Sequence, residues 1–158
     1  MIEEEGSGVK VLHFLLHDVR CCLELRYVEK ILPLPSLEHV PGCPVYFVGL
    51  MNLRNTCIPV FDLAMCTGLT RNQIYPLNIP ILLCSDGNHQ IGLIVDKVIG
   101  LGEIVMEKIE IHDELAKGSS PFYGAVTLET GVSLVMNIPW IFSLKLVQEE
   151  QQDSTSHE

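Results

Sequence analysis

The chain has 158 residues, 47% of them hydrophobic and 19% charged, which excludes a largely disordered polymer and suffices for a core without metal or disulfide staples. Its formal net charge of −10 sits mostly at the ends, where Glu3, Glu4, Glu5, Glu149, Glu150, Asp153 and Glu158 supply seven of the 20 acidic residues. The body is close to neutral and has no basic stripe with interleaved aromatics, so no nucleic-acid partner is expected.

Residues 1–8 are acidic and lack the positively charged and apolar regions of a signal peptide, and no apolar run approaches the roughly 18 residues of a membrane span. A cytoplasmic protein without direct membrane insertion is therefore expected, with acidic tails at 1–8 and 148–158. Val9 to Leu16 and Arg20 to Leu25 read as a hairpin turning at His17-Asp18-Val19. Val28 and Glu29 then fall in a helical turn. Val48 to Leu53 and Thr56 to Phe61 form a second hairpin around Arg54-Asn55, after which Asp62 caps a short helix, Leu63 to Gly68. Thr67 to Asn78 is a crossing segment. Beyond it, Ile79 to Cys84 and Gln90 to Val98 flank the turn Ser85-Asp86-Gly87-Asn88, where Asp-Gly is a strong hairpin signal. Gly100-Leu101-Gly102 reads as a strand bend, and Glu107 to Phe122 as a polar insertion. Gly124 to Leu128 and Val132 to Met136 make the last hairpin, followed by a helix at 138–147 capped by Asn137, with Pro139 in its first turn.

The hairpins recur in order. A displacement of 70 residues places Val11 on Ile81, Leu12 on Leu82, Leu23 on Leu93 and Val28 on Val98. One of 75 places Gly49 on Gly124, Leu53 on Leu128, Val60 on Val135 and Asp62 on Asn137. This internal duplication implies an all-β fold with short helices, as two small β-barrels, since closing a sheet removes its exposed edges. The expected organisation is a single domain, 9–147, whose two interleaved barrels lie at approximately 9–66 and 79–136, followed by the C-terminal helix.

No catalytic constellation assembles. His13 and His17 are four apart, but on a strand that spacing spans roughly 13 Å, too far for one metal ion. The six cysteines lack CxxC spacing and read as reduced structural thiols. Gly100-Leu101-Gly102 lacks the third glycine and the helix of a dinucleotide site. Neither an enzyme activity, a metal nor a cofactor is expected. Trp140 is assigned to core packing, Pro41 and Pro44 to shaping their loop, and Asp96 to pairing with Lys97 or capping a turn.

Three stretches carry a family resemblance: Leu23-Glu24-Leu25-Arg26-Tyr27-Val28-Glu29-Lys30-Ile31-Leu32; Val40-Pro41-Gly42-Cys43-Pro44 with Phe47 to Arg54 and Ile58-Pro59-Val60-Phe61-Asp62-Leu63; and Ile91 to Val98. In this order and spacing the chain resembles the CheW-like chemotaxis coupling proteins over roughly residues 9–147. The resemblance implies two SH3-like five-stranded β-barrel subdomains and a bridging role. Its partners would be the regulatory domain of a CheA-type histidine kinase, bound mainly by the first barrel, and the cytoplasmic tip of a methyl-accepting chemoreceptor, docked between the barrels. The protein would be recruited to receptor arrays at the inner membrane. Carried onto this sequence, the protein-binding residues are Arg54, Asn52, Gly49, Val28 and Glu29. Two positions depart from the pattern: Asn55 stands where the motif has glycine, and Lys30 stands at an often acidic position. A second reading is a small-ligand sensor that uses the groove between the barrels, which would need convergent polar groups in an apolar cavity.

Overall fold

The computed structural model describes residues 8–72, 74–111 and 120–144. Within them the strands are β1 (Gly8–Leu16), β2 (Val19–Glu24), β3 (Val28–Pro33), β4 (Phe47–Leu53), β5 (Thr56–Asp62), β6 (Pro80–Ser85), β7 (Gln90–Ile94), β8 (Lys97–Val105), β9 (Phe122–Leu128) and β10 (Gly131–Met136). A short helix, α1 (Leu63–Cys66), follows β5, and a second, α2, occupies 138–144 of the described residues. Asp62 Oδ1 accepts a hydrogen bond from the Met65 amide at the start of α1, and Asn137 Oδ1 accepts one from Trp140 in α2. Both helix starts are thus where capping chemistry placed them.

The strands form two five-stranded sheets, β3-β6-β7-β5-β4 (barrel I) and β8-β1-β2-β10-β9 (barrel II). Renumbering every strand by five converts one order into the other, so the duplication is a property of the fold. The registers repeat as well. Val60 opposite Gly92 in barrel I matches Val135 opposite Cys22 in barrel II, at the displacements of 75 and 70. Bulges coincide too: Glu29 is the extra residue between the pairs Val28–Cys84 and Lys30–Leu83, as Ile99 is between Val98–Phe14 and Gly100–His13. Each sheet curls shut through an equivalent bridge. Glu38 exchanges backbone hydrogen bonds of 2.8 and 2.9 Å with Leu50, and Glu110 exchanges bonds of 2.8 and 2.9 Å with Ala125.

The barrels do not coincide with 9–66 and 79–136. Each takes a hairpin from the other half of the chain, so β1–β2 belongs with β8, β9 and β10, and β6–β7 with β3, β4 and β5. Gln90 to Val98 is likewise two strands, broken at Val95-Asp96 where the chain crosses from barrel I to barrel II. Val28 and Glu29 lie in β3 rather than in a helical turn, which ends at Tyr27. The tails lie outside the described residues apart from Gly8, as do 112–119 of the polar insertion and 145–147 of the predicted C-terminal helix.

Strand periodicity explains the exchange. Val11 and Cys22 point into barrel II, and Met51, Ile58, Val60, Ile81, Leu83 and Ile94 fill barrel I. The alternate residues Leu12, Phe14, Leu16, Cys21, Leu23, Leu82, Cys84, Ile91 and Leu93 share one core with Phe61, Met136, Ile141 and Phe142. The exchanged hairpins are therefore apolar on both faces, one packing a barrel interior and the other the joint between barrels. Half-buried Trp140 and Val28 pack against this joint core. Burial pushes the thiols of Cys21 and Cys84 up to about 12, so they are protonated, inert packing groups.

One polar brace crosses the joint. Arg71, in the crossing segment, donates to fully buried Asp62 from Nε at 2.6 Å and from Nη2 at 3.3 Å, and to Asp96 from Nη1 at 2.8 Å. Tyr75 adds its hydroxyl to Asp62 at 2.8 Å, and the other Asp96 oxygen accepts the His17 amide at 2.7 Å. Asp96 thus pairs with Arg71, not Lys97. Burial works against its carboxylate, but the hydrogen bonds from Arg71 and His17 outweigh that and hold its pKa below the ordinary value. Removing Arg71 strands a buried charge, so Arg71→Met should cost about 3 kcal/mol in urea unfolding. The double variant Arg71→Met with Asp62→Asn, which copies the neutral Asn137 of the other half, should regain most of that loss.

Barrel II buries two polar residues where barrel I has apolar ones, Ser133 in the place of Ile58 and His13 in the place of Leu83; His13 lies with its Nδ1 3.2 Å from Ser133 Oγ. Burial first, and the Arg20 charge second, lower its pKa below 6.5. Neutral His13 therefore contributes stability that is complete above pH 6.5 and is lost as pH falls below it. In His13→Leu, unfolding free energy should decline less between pH 7 and pH 5 than in the parent, measured by urea titration at each pH.

Candidate protein-binding site

Arg54 and Asn55 are the two central residues of the β4–β5 turn, bounded by the pair Leu53–Thr56. Both have positive φ, 52° and 66°, as a type I′ turn demands. Asparagine tolerates that conformation, so Asn55 replaces the motif's glycine without breaking the turn. Arginine does not, and such a residue costs roughly 1 kcal/mol or more. The fold does not require it. At the equivalent turn of barrel II, Glu129 and Thr130 keep negative φ, and the positive value, 132°, falls on Gly131.

The Glu29 bulge does similar work on β3. Successive strand residues normally face opposite ways, but the extra residue lets Glu29 and Lys30 line one cleft. That cleft, of about 420 Å³, is completed by Leu53, Arg54, Thr56, Leu83 and Gln90 at one end of barrel I. Glu29 accepts a hydrogen bond from Gln90 Nε2 at 2.7 Å. Among the described residues, neither Lys30 nor Arg54 has an ion-pair partner or a side-chain hydrogen bond. Two exposed cations therefore stand without a direct ion pair beside half-buried Leu53.

The cleft unites Arg54 and Glu29 but not the other three predicted residues. Asn52 is exposed on β4 opposite Cys57, outside the cleft. Val28 is half-buried against the joint core. Gly49 is buried under the bridge that closes barrel I, where a Cβ would stand 2.6 Å from the Glu38 carbonyl oxygen. A Cβ at its counterpart Gly124 would stand 2.8 Å from Glu110 O, so the residue serves barrel closure. Lys30 and Gln90 were missing from the predicted set. Lys30 was visible as a departure from the family pattern, whereas Gln90 enters only through the pairing of β6 with β7.

A second cleft, of about 590 Å³, lies among His39, Cys43, Phe47, Met65, Arg71 and Tyr75. Its charged group, Arg71, is already engaged by Asp62 and Asp96, so it offers no free polar convergence for a small ligand. Among the described residues no three His, Cys, Asp or Glu side chains converge as metal ligands, and no helix is long and apolar enough to cross a membrane.

A family model for the CheW-like domain matches residues 10–145, nearly the whole of both barrels. The chain belongs to the CheW-like domain family. The chemotaxis protein CheW of Thermotoga maritima is 22% identical over 140 residues, covering 89% of this chain and 91% of its own. The chemotaxis protein CheW of Treponema pallidum is 24% identical over 133 residues, covering 80% and 77%. The fold matches the crystal structure of the scaffolding protein TtCheW from Thermoanaerobacter tengcongensis with a TM-score of 0.73 at 23% identity, covering 82% of this chain and 89% of that one. The CheW-like assignment and the all-β fold with two SH3-like subdomains, both read from the sequence, thus hold.

Relieving the Arg54 conformation stabilises the protein. Arg54→Asn should raise unfolding free energy by up to about 1 kcal/mol, visible as a later urea midpoint with an unchanged slope.

Proposed function

We propose that this chain is a non-enzymatic adaptor that couples chemoreceptor cytoplasmic tips to the regulatory domain of a CheA-type histidine kinase. It acts in the cytoplasm at receptor arrays. The observation that carries this reading is Arg54: exposed, unpaired and held in a costly backbone conformation at the end of the family motif. Strain of this kind persists where function maintains it. Family membership and the chemotaxis proteins among its relatives support the pathway. The cleft is open and its polar groups suit protein contact. Glu29 flanks Arg54 within the contact surface, and Asn52, on the neighbouring strand, extends it. Val28 and Gly49 act from beneath, through packing and barrel closure.

Arg54→Ala should weaken binding of the kinase regulatory domain by about 30-fold if the arginine lies at the interface centre, equivalent to about 2 kcal/mol. Arg54→Asn, although more stable, should bind as poorly as Arg54→Ala. Calorimetric titration of each variant, with circular dichroism as a check on folding, measures this. Parent-like binding of kinase domain and receptor tip by both variants would reduce Arg54 to a solvated turn residue.

A further inference from the structure

The cleft at the end of barrel I is electrostatically unusual for this chain. The protein carries a net charge of −10, yet Lys30 and Arg54 face one open space lined by a single anion, Glu29, so the cleft keeps an excess positive charge while Gln90 fixes the Glu29 carboxylate. The other barrel provides an internal comparison. Applying the displacements of 70 and 75, the equivalents of Glu29, Lys30 and Arg54 are Ile99, Gly100 and Glu129. The same bulge and the same hairpin therefore exist there without any paired cations. The fold does not generate the cationic cleft; the choice of Lys30 and Arg54 in barrel I does.

We propose that this cleft is a carboxylate-accepting docking site, in which Lys30 and Arg54 together receive an acidic side chain of the partner protein and Lys30 selects for it. The inference rests on the adaptor reading and names the chemistry of the partner surface: an exposed aspartate or glutamate beside an apolar residue that covers half-buried Leu53. Arg54 supplies a planar donor fork suited to a carboxylate, and Lys30 supplies a mobile point charge that does not dictate geometry. Because Lys30 is exposed and mobile, its attraction is screened by salt and acts on association and partner choice, with a smaller share in total affinity than Arg54. An adaptor of this kind rejects partners that present a basic residue at that position.

The test titrates the parent, Lys30→Gln, Lys30→Glu and Glu29→Gln with the kinase regulatory domain and with the receptor tip from the same organism, at low and high ionic strength. For the acid-bearing partner, Lys30→Gln should lower affinity about threefold and Lys30→Glu about tenfold or more at low salt, with both losses shrinking at high salt. Glu29→Gln, which removes the anion beside the two cations, should strengthen binding of the acid-bearing partner at low salt, with the gain shrinking at high salt. Replacing the partner's contacting acid by lysine should restore binding to Lys30→Glu and abolish it for the parent. If the parent binds but the Lys30 variants bind equally well at both salt concentrations, the carboxylate site is wrong while the adaptor reading stands. If the parent binds neither partner, the adaptor reading fails and this inference falls with it. Inorganic phosphate, added at constant ionic strength, should displace the partner no better than chloride; saturable displacement by phosphate would make the cleft an anion pocket and overturn the proposal.

Discussion

Two hairpins apolar on both faces, β1–β2 and β6–β7, decide how the rest of the chain is arranged. A hairpin with one apolar face is satisfied by a single sheet. These have two, so each must fill a barrel with one set of residues and meet the other hairpin with the alternate set. Phe14, Leu12, Leu82 and Leu93 all have relative exposures of 0–1% in that shared core. At about 1.5–3 kcal/mol for each large side chain, the joint rivals either barrel interior in driving force. Exchange of hairpins between the halves follows, because each half donates its two-faced pair to the barrel of the other. The barrels consequently form one packed unit, and the Asp62–Arg71–Asp96 brace adds a directional contact that apolar packing lacks.

This architecture leaves the barrel ends free to diverge. Equivalent residues of the two barrels have the same pairing, the same bulges and the same closing bridge, down to the backbone against Gly49 and Gly124. Their exposed side chains do not match. Barrel I ends in Lys30 and Arg54, barrel II in Gly100 and Glu129. An internally repeated scaffold with dissimilar ends suits a protein that meets two different partners, since each end evolves without disturbing the shared core.

Much of this was legible in the sequence because the signals were local. Asp-Gly at the β6–β7 turn, the capping residues Asp62 and Asn137, and the recurring apolar pattern each reflect chemistry within a few residues. The missed elements lack such signals. β3 follows a 3-10 turn and exposes Glu29, Lys30, Ile31 and Pro33, so it shows neither a hairpin turn nor an alternating pattern. β8 has two glycines and a single buried residue, Ile104, so the strand bend at Gly100-Leu101-Gly102 was legible but the extent of the strand around it was not. The exchange of hairpins was equally hidden, because a run apolar on both faces does not say which sheet it joins. At the site, the family motif pointed to Arg54. The positive φ that marks Arg54 as costly, and the bulge that turns Glu29 and Lys30 to the same side, exist only in three dimensions.

The central claim is that one molecule of this chain holds two proteins together, and simultaneous binding tests it most directly. Sedimentation of the chain mixed with the receptor tip and the kinase regulatory domain resolves the species present. The account predicts a ternary complex containing all three, with the chain's absence leaving the other two unassociated. Mutual displacement, in which either partner expels the other and only binary complexes form, would contradict it.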